Sequence, residues 1–145
     1  MGSLDNILIS LEPKYAESIL AGLKLYELRR RAVRVEPGTT VWFYSKKPEG
    51  AVVGYATVAD LHEASPKTLW RRYGSSVGIS KAEFFDYLSE LDVAFAIELK
   101  DSSRLKRPVG LDELRKVDEA FQPPQFFKRL SRDETIFRAI SEELT

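Results

Sequence analysis

Thr40-Val-Trp-Phe-Tyr-Ser45 is a run of β-branched and aromatic residues. It is closed on one side by Pro37-Gly38 and on the other by the turn residues Lys47 to Gly50. Such side chains fit a pleated surface and lose rotamer freedom in a helix, so the run predicts a strand. A strand needs partners, and the chain offers four further β-rich stretches. Ile7–Leu11 carries Ile7, Ile9 and Leu11 on one parity, and Ala94–Lys100 carries Phe95, Ile97 and Leu99 on one parity. Lys24–Arg30 alternates but puts charge where packing does not need it, and Ala51–Val58 contains Gly54, which predicts a bulge or the close approach of another backbone.

Helical signals fall between these runs. Pro13 suits a first helical turn, Tyr15, Ile19 and Leu20 follow at helical spacing, and Gly22 predicts the stop. Ser65-Pro66 predicts a short helix ending by Gly74. Ser80-Lys-Ala-Glu83 reads as a capping box for a helix to about Leu91, with Phe84, Tyr87, Leu88 and Leu91 inward. Leu111, Leu114 and Val117 mark another helix. Ser131-Arg-Asp-Glu134 reads as a second capping box ahead of Ile136, Phe137, Ile140 and Leu144. Phe121 to Phe127 holds Pro123-Pro124 and predicts an extended loop. There is no internal repeat or linker. The expectation is one α+β domain over residues 1–145, a small, strongly curved β-barrel with flanking helices and a helical extension from about residue 110.

Composition bounds the function. The chain has 145 residues, no cysteine and a single histidine, His62. Disulfides and thiolate metal sites are therefore excluded, a histidine-rich centre has too few ligands, and a reducing cytoplasm is the expected compartment. No apolar run reaches the ~20 residues that span a bilayer, and the start lacks the pattern of a signal peptide. Met1-Gly2-Ser3 fits a cloning remnant as well as a native start. Lys plus Arg and Asp plus Glu both number 22, so the molecule is formally neutral and any electrostatic footprint is local. The stretch Lys24–Arg34 supplies one, with Lys24, Arg29, Arg30, Arg31 and Arg34 against Glu27 alone. A solvated face also carries charge runs of this kind.

One ordered set of motifs is specific. Ile9-Ser-Leu-Glu-Pro-Lys-Tyr-Ala16, then Gly22-Leu-Lys24-Leu-Tyr-Glu27-Leu-Arg29, then Pro37-Gly38 and Val41-Trp-Phe-Tyr-Ser45 resemble the opening of ASCH domains. Residues 47–54, Phe95–Lys100 with Arg107-Pro108, and Pro123–Phe126 resemble its later elements, so the resemblance spans about Ile7 to Leu130. It implies a PUA-like β-barrel with a cleft beside the first helix and the Lys-x-x-Glu-x-Arg strand. Members of that broader group include RNA-binding modules, readers of modified bases, proposed nucleases, an amidohydrolase of acetylated cytidine and parts of transcription coactivators. It therefore leaves binder and catalyst both open, with a protein partner as a third class.

The residues themselves support a nucleotide or RNA cleft. Glu27 and Arg29 share a strand face by alternation, and a turn after Gly22 can swing Lys24 beside them. Arginine grips phosphate through paired hydrogen bonds, lysine is a flexible point charge, and a carboxylate reads an exocyclic amino group. Candidate binding residues are Lys24, Tyr26, Glu27, Arg29, Arg30, Arg31, Tyr44, Ser45 and Gln125. Trp42, Phe126 and Phe127 are further stacking candidates, each equally at home in a core. If the protein is an enzyme, Lys24 with a depressed pKa is the base or nucleophile and Glu27 relays protons. No metal and no cofactor is expected. Tyr26 and Glu27 stand where acetylcytidine hydrolases carry a hydroxyl residue and no threonine follows, and Val53–Thr57 lacks their later glutamate, which weighs against that activity. His62, Glu63 and Ser45 are reserve candidates, His62 being read as a surface residue.

Overall fold

The computed structural model describes residues 5–145, so Met1-Gly2-Ser3 lies outside the described residues. Six strands form one sheet: β1 (Asn6–Leu11), β2 (Tyr26–Arg29), β3 (Thr40–Ser45), β4 (Ala51–Ala64), β5 (Ala94–Gly110) and β6 (Phe127–Leu130). Their order is β2-β5-β4-β3-β1-β6. β1 and β3 run parallel, with α1 (Pro13–Leu20) and β2 between them in sequence, and the other pairs are antiparallel. The sheet curls into a half-barrel, and β2 and β6 are its two edges.

The curl has a local cause. β4 and β5 are 14 and 17 residues long, well beyond the β-rich runs Ala51–Val58 and Ala94–Lys100. Their ladder shifts register at Val52/Gly54, Tyr55/Thr57 and Val58/Asp60, and each irregularity bends the strands. At Gly54 the backbone of β5 leaves no room for a side chain. A Cβ there would lie 2.6 Å from the Ser103 carbonyl oxygen and 2.6 Å from Leu20 Cδ2. The expected close approach is met.

Both faces of the sheet centre are covered. Ile7, Ile9, Leu11, Val41, Phe43 and Ile97 pack with Ala16 and Ile19 of α1 on one side. Leu8, Trp42, Tyr44, Val52 and Val109 pack on the other, under α4 (Leu111–Val117) and α5 (Thr135–Ser141). Trp42 is therefore core rather than a stacking platform, and its indole N–H donates to Asn6 Oδ1 at 3.0 Å. A third cluster joins Leu28 and Ala96 to α2 (Pro66–Tyr73) and α3 (Lys81–Tyr87). Ser65 and Ser80 cap these two helices, their hydroxyls accepting from the Thr68 and Glu83 N–H groups.

Several boundaries differ from expectation. α3 ends at Tyr87, not near Leu91, and Tyr87 is 43% exposed rather than inward. Ser131–Glu134 forms a turn, with α5 starting only at Thr135, and Leu144 is exposed. The stretch after Gly110 holds β6 between α4 and α5. β6 escapes notice because it is four residues of mixed polarity, stabilised by its ladder to β1. No helix among the described residues is long and apolar enough to cross a membrane.

Candidate functional site: a cavity at the open seam of the half-barrel

The half-barrel does not close by a strand ladder between β2 and β6. Side chains bridge the gap instead: Arg29 Nη1 donates to the Phe126 carbonyl at 3.3 Å, and Arg129 Nη2 donates to the Arg34 carbonyl. Beside this seam lies a cavity of about 340 Å³. Its wall includes Ser10, Tyr15, Lys24, Glu27, Arg29 and Gln125, with Lys46 and Tyr87 at its margin.

Lys24 arrives by the turn after α1. Gly22 takes φ +78°, and the Ser18 carbonyl then accepts the Leu23 and Lys24 N–H groups at 2.9 and 3.1 Å. The chain folds back beneath the helix, and Lys24 is only 3% exposed. Its Nζ donates to the Val77 carbonyl at 2.6 Å and lies 5.4 Å from the centre of the Tyr15 ring. Lys24 therefore does not stand outside the packing, as its polar type suggests. Gly78, at φ +72°, is pressed against it, since a Cβ there would lie 2.8 Å from Lys24 Cβ.

Alternation in β2 brings Glu27 and Arg29 to the same side, as expected. Lys24 Nζ is 3.9 Å from Glu27 Oε1, and Arg29 Nε is 3.2 Å from Glu27 Oε2. That second separation is an ion pair without hydrogen-bond alignment, so Arg29 Nε and Nη2 have no hydrogen-bond partner among the described residues. Ser10 lines the same cavity and is 7% exposed, and its buried Oγ also has none. Buried polar groups are nearly always paired, so unpaired donors at one cavity mark a place for an acceptor. Burial holds the Lys24 ammonium below its ordinary pKa, with Glu27 opposing the shift and Arg29 adding to it. Burial likewise pushes the Tyr87 hydroxyl upward, and Glu27 reinforces it.

Of the sequence candidates, Lys24, Glu27, Arg29 and Gln125 converge here. Arg30 and Arg31 line an adjoining basin with Phe126. Arg30 Nη1 donates to the Tyr87 and Ser89 carbonyls at 2.7 and 3.1 Å, and Arg31 lies over the Phe126 ring at 4.3 Å. Tyr26 does not join the cavity. Its ring stacks on Tyr73 at 4.4 Å on the opposite face of β2. Tyr44 is 3% exposed and packs under α4 and α5, and it does not reach this cavity but borders the neighbouring basin beside Lys47 and Arg115. Ser45 is buried and opens toward a separate groove beside Lys14 and Arg104. Phe127 is half-buried in β6, opposite Ile9, and lines the basin of Arg30 and Arg31 rather than the cavity.

Ser10, Tyr15, Tyr87 and Lys46 were not among the candidates. Tyr15 lies within the first motif, which is a signal of a kind, but Tyr87 carries none: it is the last residue of α3, and its hydroxyl donates to the Leu28 carbonyl of β2 at 3.4 Å. His62 is also misread. It is half-buried in β4, its Nδ1 3.0 Å from the Tyr73 hydroxyl and its Nε2 2.7 Å from Glu98 Oε1, while Glu63 is exposed.

These features define a PUA-like α+β protein with a charged cavity at the seam of its half-barrel. The family described as "Domain of unknown function (DUF365)" matches residues 7–126. An "ASCH domain-containing ribonuclease" of Zymomonas mobilis is 35% identical over 127 residues, covering 88% of this chain and 85% of that protein. The crystal structure of ASCH from Zymomonas mobilis matches with a TM-score of 0.87 at 33% identity, over 92% of this chain and 93% of that one. The human THYN1 protein, crystallised in complex with 5-methylcytosine-containing DNA, shares the fold at a TM-score of 0.56 and 15% identity, over 97% and 98% of the two chains. The chain belongs to the ASCH domain family.

Proposed function

We propose that this protein binds single-stranded RNA and cleaves it at the Lys24–Glu27–Arg29 cavity. The observation that carries the reading is a pair of buried donors without a partner among the described residues, Arg29 Nη2 and Ser10 Oγ, on two residues that line one cavity beside a buried lysine. A phosphate offers acceptor oxygens for such donors, and arginine binds it through more than one N–H. The relative named a ribonuclease supports an RNA substrate, and the DNA held by THYN1 supports a nucleic acid on this fold. The lack of cysteine fits work in a reducing cytoplasm.

In this reading the RNA supplies its own nucleophile. Glu27 takes the proton of a ribose 2′-hydroxyl as that oxygen attacks the neighbouring phosphorus. The bond from phosphorus to the 5′-oxygen breaks, and that oxygen takes a proton from the Lys24 ammonium. The products are a 2′,3′-cyclic phosphate and a 5′-hydroxyl. Arg29 and Ser10 hold the non-bridging oxygens as charge builds on them. An ammonium has three donors, so the bond from Lys24 to Val77 leaves two for substrate. Its lowered pKa makes it a better acid than a solvated lysine.

A second reading, hydrolysis of an acylated nucleoside, is favoured by the volume, since about 340 Å³ suits one small ligand with a desolvated lysine at its wall. End analysis of labelled RNA, alongside chromatography of N-acylated nucleosides, separates the two. The proposal expects cyclic-phosphate and 5′-hydroxyl ends and no deacylation. Deacylation without RNA cleavage would install the second reading, and RNA binding without either product would leave a non-catalytic reader.

A further inference from the structure

The central cavity is the middle of three. On one side, through Arg29, Tyr87 and Gln125, it adjoins the basin of about 470 Å³ that holds Arg30, Arg31 and the half-exposed Phe126. On the other, through Ser10, Lys46 and Gln125, it adjoins a basin of about 470 Å³ lined by Lys47, Arg115, Gln122, Pro123 and Pro124. Gln125 borders all three, and Pro123 and Pro124 beside it wall the last. Among the described residues, the two outer basins have no carboxylate in their walls. The three together gather seven cations, Lys24, Arg29, Arg30, Arg31, Lys46, Lys47 and Arg115, against Glu12 and Glu27. In a chain with 22 cations and 22 anions that concentration is strongly uneven.

We infer that the three basins are one track for at least three consecutive nucleotides of a single strand. The scissile phosphate lies in the middle, a base lies on Phe126 at one end, and a phosphate lies on Lys47 and Arg115 at the other. This rests on the RNA reading above and adds the substrate class: an oligonucleotide rather than a dinucleotide or a free nucleoside. The chemistry of the ends supports it. Arg31 already lies over the Phe126 ring, a cation–aromatic platform that takes a base of any identity. Arg115 is braced by donating to the Phe121 carbonyl at 3.2 Å and the Gln122 amide oxygen at 3.1 Å, which fixes its charge at the basin rim. The spread of cations over three basins is what a polymer of phosphates needs and a single nucleoside does not.

The test compares kcat/KM for a dinucleotide and a hexanucleotide of the same RNA sequence, in the wild type and in Lys47→Ala and Arg31→Ala, one from each end. The wild type is expected to prefer the hexamer by about tenfold or more through added phosphate contacts. Each variant should cut that preference about two- to fivefold, the weight of an exposed charge contact. Each should also flatten the salt dependence of hexamer binding by about 0.7 in logarithmic slope. Equal rates on both lengths, or a preference unmoved by either variant, would overturn the track while leaving the ribonuclease reading intact. Failure to act on any RNA would remove that reading, and the track with it.

Discussion

Gly78→Ala tests whether the fold sets the position of the reactive lysine. Gly78 has φ +72°, and in that region a Cβ costs about 1–2 kcal/mol. The new methyl would also meet Lys24 Cβ at 2.8 Å, Ser18 Oγ at 3.0 Å and Lys24 Cγ at 3.1 Å. The Ser18 hydroxyl can rotate away. Lys24 Cβ cannot, because the Lys24 N–H is tied to the Ser18 carbonyl and its Nζ to Val77, next to the substituted residue. Overpacking of this kind adds about 1–3 kcal/mol, so the total is roughly 2–5 kcal/mol. At about 4 °C per kcal/mol for a chain of this size, the melting temperature should fall by roughly 8–20 °C.

Gly22→Ala is the matched control. Its φ is +78°, nearly the same, but nothing lies within 4 Å of its Cβ, so only the strain of about 1–2 kcal/mol applies. Thermal unfolding followed by circular dichroism gives both shifts, and RNA cleavage at saturating substrate gives kcat. Gly78→Ala should lose both stability and kcat, and Gly22→Ala mainly stability. Equal shifts in melting temperature for the two variants would refute the argument from the collision with Lys24.

Other consequences follow from the same geometry. Gly54→Val should destabilise the fold by about 2–4 kcal/mol, because the backbone Ser103 carbonyl 2.6 Å from its Cβ has little room to yield; an unchanged urea midpoint would mean that β4 and β5 part easily there. Since burial lowers the folded-state pKa of Lys24 below 10.5, the unfolded chain binds more protons between that lowered value and 10.5. The stability of the wild type minus that of Lys24→Met should therefore rise with pH through that alkaline window. Paired denaturation curves that keep a constant difference across it would show that Lys24 ionises alike in both states.

Much of the site is legible in local sequence, because its chemistry sits on one strand and the turn before it. Alternation puts Glu27 and Arg29 together, and the freedom of glycine at Gly22 brings Lys24 beside them. The same alternation places Tyr26 on the other face, although its neighbours in the chain group it with the site. Tyr44 and Trp42 show a different limit. Nothing in a single strand reveals that both faces of β3 are covered, and the helices that cover the second face come from beyond residue 110. What reaches the site from a distance is least legible. Val77, which holds Lys24, is 53 residues away in the chain, and Tyr87 reaches the site from α3 through its bond to the Leu28 carbonyl, 59 residues away. The half-barrel curvature was legible only in part: Gly54 signals one bulge, while two more lie in stretches without a glycine.

The most direct test of the central claim is single-turnover cleavage of one labelled single-stranded RNA by the wild type and Arg29→Ala, at protein concentrations that saturate the RNA and after circular dichroism has confirmed folding. If Arg29 binds the phosphate at which the strand is cut, the rate should fall by about 10- to 150-fold, corresponding to the roughly 1.5–3 kcal/mol of a charged hydrogen bond. A folded Arg29→Ala protein that cuts the RNA at the wild-type rate would place the chemistry outside this cavity.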